Sequence, residues 1–82
     1  MRFMAQFPLK QGMKNKAVEV FEQRGPNRNP GVKFLGAWIG SHSDVAFVLV
    51  DSEDEAHVAK AAEAWAAFGE AQIHQVIDVQ QY

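Results

Sequence analysis

The order in which the hydrophobic period changes along the chain constrains the fold most strongly. Short stretches carry apolar residues at every second position, the period of a β-strand, and two longer stretches carry them at the 3.6-residue spacing of an α-helix. From the amino terminus these segments follow the order β-α-β-β-α-β. The sequence therefore predicts an α+β fold of the split βαβ type, in which right-handed crossovers place both helices on one face of a four-stranded antiparallel sheet.

The first predicted strand carries Phe3, Ala5 and Phe7 at alternate positions. Pro8 ends this strand because proline cannot donate to a β-ladder. The other three predicted strands span residues 32–39, 45–50 and 72–79. The third strand is a nearly continuous apolar run, which is typical of a central strand covered on both faces. A polar turn joins it to the second strand as a hairpin.

The two predicted helices have recognisable ends. The first spans residues 13–24, and Gly25 suits a left-handed cap because glycine adopts positive φ readily and a proline follows it. Ser52 and Glu55 have the three-residue spacing of a capping box at the start of the second helix. That helix is alanine-rich and is predicted to run to about Phe68.

One face of the predicted sheet has no cover within the chain. Period-two alternation puts Met4, Leu35, Ile39, Val48 and Val50 on one face and Phe3, Phe34, Trp38 and Phe47 on the other. Counted with the 6 glycines, the apolar share of this chain exceeds the roughly 45–50 % of ordinary domains. A chain this short buries only about 60 % of its unfolded surface. We therefore expect a homodimer in which a second copy packs sheet against sheet.

Composition excludes several classes of site and partner. The chain has no cysteine, which excludes disulfides, thiolate nucleophiles and cysteine-bound zinc or iron–sulfur clusters. A net charge of −2 without a basic stripe argues against nucleic acid. No apolar run approaches the roughly 20 residues of a membrane span. We expect a single domain over residues 1–82 that is cytoplasmic and has no membrane partner.

Histidine is the residue type most able to support acid–base chemistry here. His42, His57 and His74 do not have metal-ligand spacing, so the sequence predicts no metal and no cofactor. His74 on the last strand is the candidate general base or hydrogen-bond donor, because an unperturbed imidazole has a pKa of about 6.5. Gln6 on the adjoining first strand is its candidate polar partner. A hydrogen-bonded structural histidine is the alternative interpretation.

Aromatic residues give the clearest candidate for a ligand site. Phe7, Trp38 and Phe47 occupy strand positions expected to share one face, and Trp65 is expected to face the sheet from the second helix. Aromatic rings beside small residues line pockets that bind planar apolar molecules. The alternative interpretation is that the same rings form only the hydrophobic core.

Three segments of the chain resemble a family of short uncharacterised bacterial domains: MRFM at residues 1–4, GVKFLGAW at residues 31–38 and AEAW at residues 62–65. That family is similar to the dimeric α+β barrel superfamily, in which two ferredoxin-like subunits pack their sheets into a barrel. The resemblance implies a ferredoxin-like fold and a homodimer. Members often carry a histidine directly after the tryptophan of the second strand, whereas this chain has Ile39 there and its nearest histidine is His42.

The sequence leaves three functions open. The first is a binding or sensing module with a pocket lined by the four aromatic residues named above. The second is a cofactor-independent monooxygenase or isomerase that uses His74 or Gln6 as its polar partner, an activity that only analogy with the superfamily suggests. The third is a structural or protein-interaction domain whose aromatic residues are core.

Overall fold

The computed structural model describes residues 1–25 and 29–82. Along the chain lie β1 (Arg2–Pro8), α1 (Lys14–Arg24), β2 (Lys33–Ile39), β3 (Val45–Asp51), α2 (Glu55–Glu63), β4 (Gln72–Val76) and a short 3₁₀ helix (Val79–Gln81). The strands form one antiparallel sheet in the order β2-β3-β1-β4. The predicted α+β fold is confirmed, and its topology is compatible with a ferredoxin-like fold. The proline after Gly25 lies outside the described residues.

The core lies between the sheet and the helices. Phe3, Ala5 and Phe7 alternate along β1 as predicted, and their exposed fractions are 1 %, 4 % and 6 %. Phe3 is directly opposite Val50 in the β1–β3 ladder, so the two side chains share a face. Val58 of α2 packs against both of them. This alternation buries one face of β1 under the helices.

The register corrects two predictions about the faces of the sheet. The pattern predicts Ile39, Val48 and Val50 on the face opposite Phe3. This is wrong because Phe3 pairs with Val50, and Ile39 pairs with Ala46 on the same face of β3. The prediction that Trp38 and Phe47 share the face of Phe3 is also wrong. Phe47 alternates with Val48 along β3, and Trp38 is directly opposite Phe47. Both therefore lie on the face away from the helices, which we call the open face.

A β-bulge in β2 explains why the alternation fails in that strand. Phe34 is opposite Val50 and Gly36 is opposite Leu49, so Leu35 is an extra residue without a partner on β3. An inserted residue reverses the alternation beyond it. Two residues of a regular strand share a face when they are separated by an even number of positions. When the bulge lies between two such residues of β2, they point to opposite faces instead.

The last strand is shorter than predicted because its partner ends. Val76 pairs with Arg2, the first residue of β1, so no strand remains to continue the ladder. The chain turns instead into the 3₁₀ helix, where the Asp78 carboxylate accepts a hydrogen bond from the Gln80 amide at 2.7 Å. The third predicted strand, β3, lies in the interior of the sheet as expected, but helices cover only one of its faces.

The helix ends agree only in part with the sequence predictions. Gly25 caps α1 with φ of 66°, and its amide donates to the Phe21 carbonyl at 2.7 Å, as expected for a glycine stop. At the start of α2, Asp54 is the cap, because its carboxylate accepts from the Ala56 amide at 2.9 Å. The predicted capping role of Ser52 is therefore wrong.

The second helix ends at Glu63, five residues before the predicted end at Phe68. Tighter turns follow, and the Phe68 amide donates to the Trp65 carbonyl at 3.0 Å. These turns return the chain to the end of β1, where the Phe68 carbonyl accepts from the Lys10 amide at 2.8 Å. Gly69 is buried there against Pro8, at a spacing that leaves no room for a Cβ atom. Contact with β1 thus overrides the helical propensity of the alanines.

Candidate functional site

An apolar cavity of about 390 Å³ lies between the sheet and the two helices. We call it the helix-side cavity. Ala5 of β1, Ala17 of α1 and Ala61 of α2 all line it. Their small side chains come from three different elements, and together they leave a space that larger side chains would fill. The cavity is partly open to solvent.

A chain of four aromatic rings borders this cavity and connects β2, α1 and the turns after α2. The ring centroids are 6.1 Å apart for Phe21 and Phe34, 6.2 Å for Phe21 and Trp65, and 5.8 Å for Trp65 and Phe68. Each pair is tilted by 43–45°, and the separations fall within the range of favourable aromatic contacts. We call these four rings the aromatic wall.

Local structure places each ring of the aromatic wall. Phe21 lies one helical turn after Ala17 on α1, so both side chains point toward the sheet. Trp65 and Phe68 are three residues apart in the tight turns, and residues at that spacing stack on one side of a 3₁₀-like turn. Sequence reasoning did not assign Phe21 or Phe68 to the site. The sequence signal that could have assigned them is that each occupies a position in the apolar stripe of its predicted helix.

Two of the four predicted ligand-binding residues belong to the helix-side cavity through their side chains. Phe7 is buried on the helix face of β1, and Trp65 is part of the aromatic wall. Trp38 and Phe47 border the cavity through their strands, but the register turns their rings to the open face. A Cβ atom built on Gly36 would lie 2.9 Å from the Trp38 ring, so that ring covers Gly36 on the open face.

The candidate catalytic residues His74 and Gln6 lie on the open face. His74 is opposite Met4 and Gln6 is opposite Gln72 in the β1–β4 ladder, which makes His74 and Gln6 diagonal neighbours on one face. The sheet separates both from the helix-side cavity, and neither lines it. The structure therefore brings these two residues near each other and places them away from Phe7 and Trp65.

The other two histidines lie outside the helix-side cavity. The exposed His42 ring has its Nδ1 atom 3.0 Å from the Ser41 hydroxyl. His57 packs against Gly31, which has φ of 78°. Within residues 1–25 and 29–82, no group of three or more histidine, cysteine or acidic side chains is arranged to hold a metal ion.

The open face carries apolar side chains along its middle and charges at one end. Trp38 is 56 % exposed although it is a large apolar residue. At the charged end, Asp51 is opposite both Arg2 and Lys33, and its carboxylate accepts a hydrogen bond from the Met1 ammonium at 3.0 Å. This hydrogen bond and the ammonium charge lower the pKa of Asp51, with smaller contributions from Arg2 and Lys33.

Ser52 connects the segment before β2 to the start of α2. Its side chain is buried, with its hydroxyl donating to the Gly31 carbonyl at 2.6 Å and accepting from the Asp54 amide at 3.2 Å. Gly31 adjoins Val32, which lines the helix-side cavity. Ser52 therefore fixes one border of the cavity, a role that its position after a strand did not reveal.

Comparison with known proteins identifies the family. No helix in the described part of the chain is long and apolar enough to cross a membrane. No curated protein and no solved structure matches the chain. The family described as Domain of unknown function (DUF3303) matches residues 1–82. Because this match extends over the whole sequence, the chain belongs to the DUF3303 family.

Proposed function

We propose that this protein binds an apolar, planar small molecule in the helix-side cavity. The observation that carries the proposal is a cavity of about 390 Å³ bordered by the aromatic wall. Ligand sites in proteins commonly have volumes of about 300–1,000 Å³ and mostly apolar walls. The tilted rings would contact the faces and edges of a flat ligand.

The apolar character of the lining supports the proposal. Water that enters from the open side finds few hydrogen-bond partners along these walls. A bound apolar ligand would displace this water and remove apolar surface from solvent, which is worth about 25 cal/mol per Å².

A cavity-filling substitution tests the proposal. Ala61→Phe places a ring in the space, whereas Ala59→Phe adds the same ring to an exposed position of α2 that does not line the cavity. N-phenyl-1-naphthylamine, a neutral apolar dye, should bind the wild type and Ala59→Phe with increased fluorescence. Ala61→Phe should abolish that binding and remain folded by circular dichroism. Equal binding by both variants, or no binding by the wild type, would refute the proposal.

A homodimer formed through the open face is the second part of the proposal. The apolar side chains of Met4, Phe47 and Leu49 share this face with the exposed Trp38. No described element covers them, and a second sheet packed about 10 Å away is the usual cover for such a face. The charged end would remain at the border of the interface, where Arg2 and Asp51 keep their contacts with solvent.

A charge on the open face tests the dimer. Trp38→Lys should shift the protein from dimer to monomer in native mass spectrometry, because it would bury a charge in an apolar interface. Ile77→Lys is the matched control, since Ile77 is 55 % exposed and Trp38 is 56 % exposed, but Ile77 follows β4 outside the sheet register. A wild type that is monomeric at micromolar concentrations would contradict this part of the proposal. So would a Trp38→Lys variant that remains a dimer.

The geometry gives no comparable support to a cofactor-independent oxygenase or isomerase. His74 and Gln6 were the polar groups expected to act in the cavity, and both lie on the other face of the sheet. A general base must come within hydrogen-bond reach of the proton it removes. The binding proposal therefore does not include a reaction.

A further inference from the structure

We propose that the ligand of the helix-side cavity has an apolar planar body and a cationic or hydrogen-bond-donating head group that lies beside Glu22. This inference rests on the proposed binding function and narrows the class of ligand. Glu22 is exposed on α1 and lines the cavity directly after Phe21 of the aromatic wall. Because Glu22 is both exposed and part of the lining, it borders the open side of the cavity, next in sequence to a ring that would contact the ligand body.

Within residues 1–25 and 29–82, the charge on the cavity lining has one sign. Glu22 is the only ionisable side chain of this described lining, and Asn29 and the Trp65 indole also carry polar atoms. An ionised carboxylate accepts hydrogen bonds and donates none. A ligand carboxylate or phosphate would meet repulsion from Glu22, and no described lysine or arginine lines the cavity to offset that repulsion. A hydroxyl or an ammonium group would instead find an acceptor.

The aromatic wall also favours a positively charged head group. Cations are attracted to the faces of aromatic rings within about 6 Å of the ring centroid. Phe21 and Trp65 are neighbours in the wall, with centroids 6.2 Å apart. An ammonium group that contacts both the Glu22 carboxylate and a ring face of the aromatic wall would be stabilised by both interactions. This favours a cationic head over a neutral one.

Three naphthalene probes with the same body test the head group. They are naphthalen-2-ylmethylamine, naphthalen-2-ylmethanol and naphthalene-2-carboxylate, and their dissociation constants are measured by calorimetry at low and high salt. The amine should bind about two- to fivefold more tightly than the alcohol, the size expected for an exposed charge pair, and the carboxylate should bind most weakly. Added salt should reduce these differences because it screens exposed charges.

Glu22→Gln and Glu19→Gln form the matched pair of variants. Both remove one negative charge from an exposed position of α1, but only Glu22 lines the cavity. Glu22→Gln should make the three probes bind with nearly equal affinity, while Glu19→Gln should keep the wild-type order. Circular dichroism checks that both variants are folded.

The head-group inference can fail while the proposal of ligand binding in the helix-side cavity stands. Binding of the three probes with equal affinity, or tightest binding of the carboxylate, would overturn the head-group inference and leave the cavity as a ligand site. Equal effects of the two substitutions would also overturn it, because the preference would then reflect overall charge. If none of the probes binds, both proposals fail.

Discussion

Replacing Ser52 with alanine removes a hydroxyl that joins two segments of the chain. The side chain is only 4 % exposed, and its oxygen lies 2.6 Å from the Gly31 carbonyl oxygen and 3.2 Å from the Asp54 nitrogen. In Ser52→Ala, both backbone groups would lose this partner. Each such hydrogen bond contributes about 0.5–1.5 kcal/mol to stability, so the two together contribute about 1–3 kcal/mol. We therefore expect the free energy of unfolding to fall by about 2 kcal/mol.

Urea unfolding followed by circular dichroism measures this loss, and Ser43→Ala is the control because Ser43 is exposed in the turn between β2 and β3. The midpoint of thermal unfolding should also fall, by about 4–8 °C for each kcal/mol in a domain of this size. Ser43→Ala should change stability by less than about 0.5 kcal/mol, as surface substitutions usually do. If the two variants are equally stable, the assigned role of Ser52 is wrong.

Two further predictions concern packing and pH. Phe3→Ala should lower the free energy of unfolding by about 3–5 kcal/mol because the ring is fully buried. Trp38→Ala should lower it by about 2 kcal/mol in the monomer because only part of that ring is covered. Urea unfolding at low protein concentration compares the two variants, and equal losses would contradict the assigned faces. In the folded protein the pKa of Asp51 lies below its ordinary value of 3.8. The contact with the Met1 ammonium therefore stabilises the fold fully above about pH 3.8, and this stabilisation is lost as the pH falls through the lower, folded pKa. Asp51→Asn should therefore weaken the acid dependence of unfolding below about pH 4, and an unchanged dependence would show that the contact contributes nothing.

The element order and the helix-facing side of β1 were predictable from the sequence because they depend on local periodicity. Phe3, Ala5 and Phe7 alternate without interruption, and the structure buries all three. The faces of β2 were not predictable, since the extra residue Leu35 reverses the alternation and nothing in the pattern reveals it. The end of β4 depends on where β1 begins, so it is set by a contact between distant parts of the chain.

The candidate site was only partly predictable for the same reason. Phe7 and Trp65 were assigned to it from uninterrupted strand and helix patterns, and both line the helix-side cavity. Trp38 lies beyond the bulge, so parity placed its ring on the wrong face. The contribution of Phe21 depends on how α1 lies over the sheet, which a helical period alone does not specify.

The position of a bound probe tests the central claim most directly. In a nuclear magnetic resonance experiment with naphthalen-2-ylmethanol, intermolecular nuclear Overhauser effects would report which side chains contact the naphthalene protons. A ligand in the helix-side cavity should give these effects with the Ala61 methyl group and the Phe21 ring, both of which line the cavity. Effects confined to Trp38 and Met4 on the open face would contradict the account.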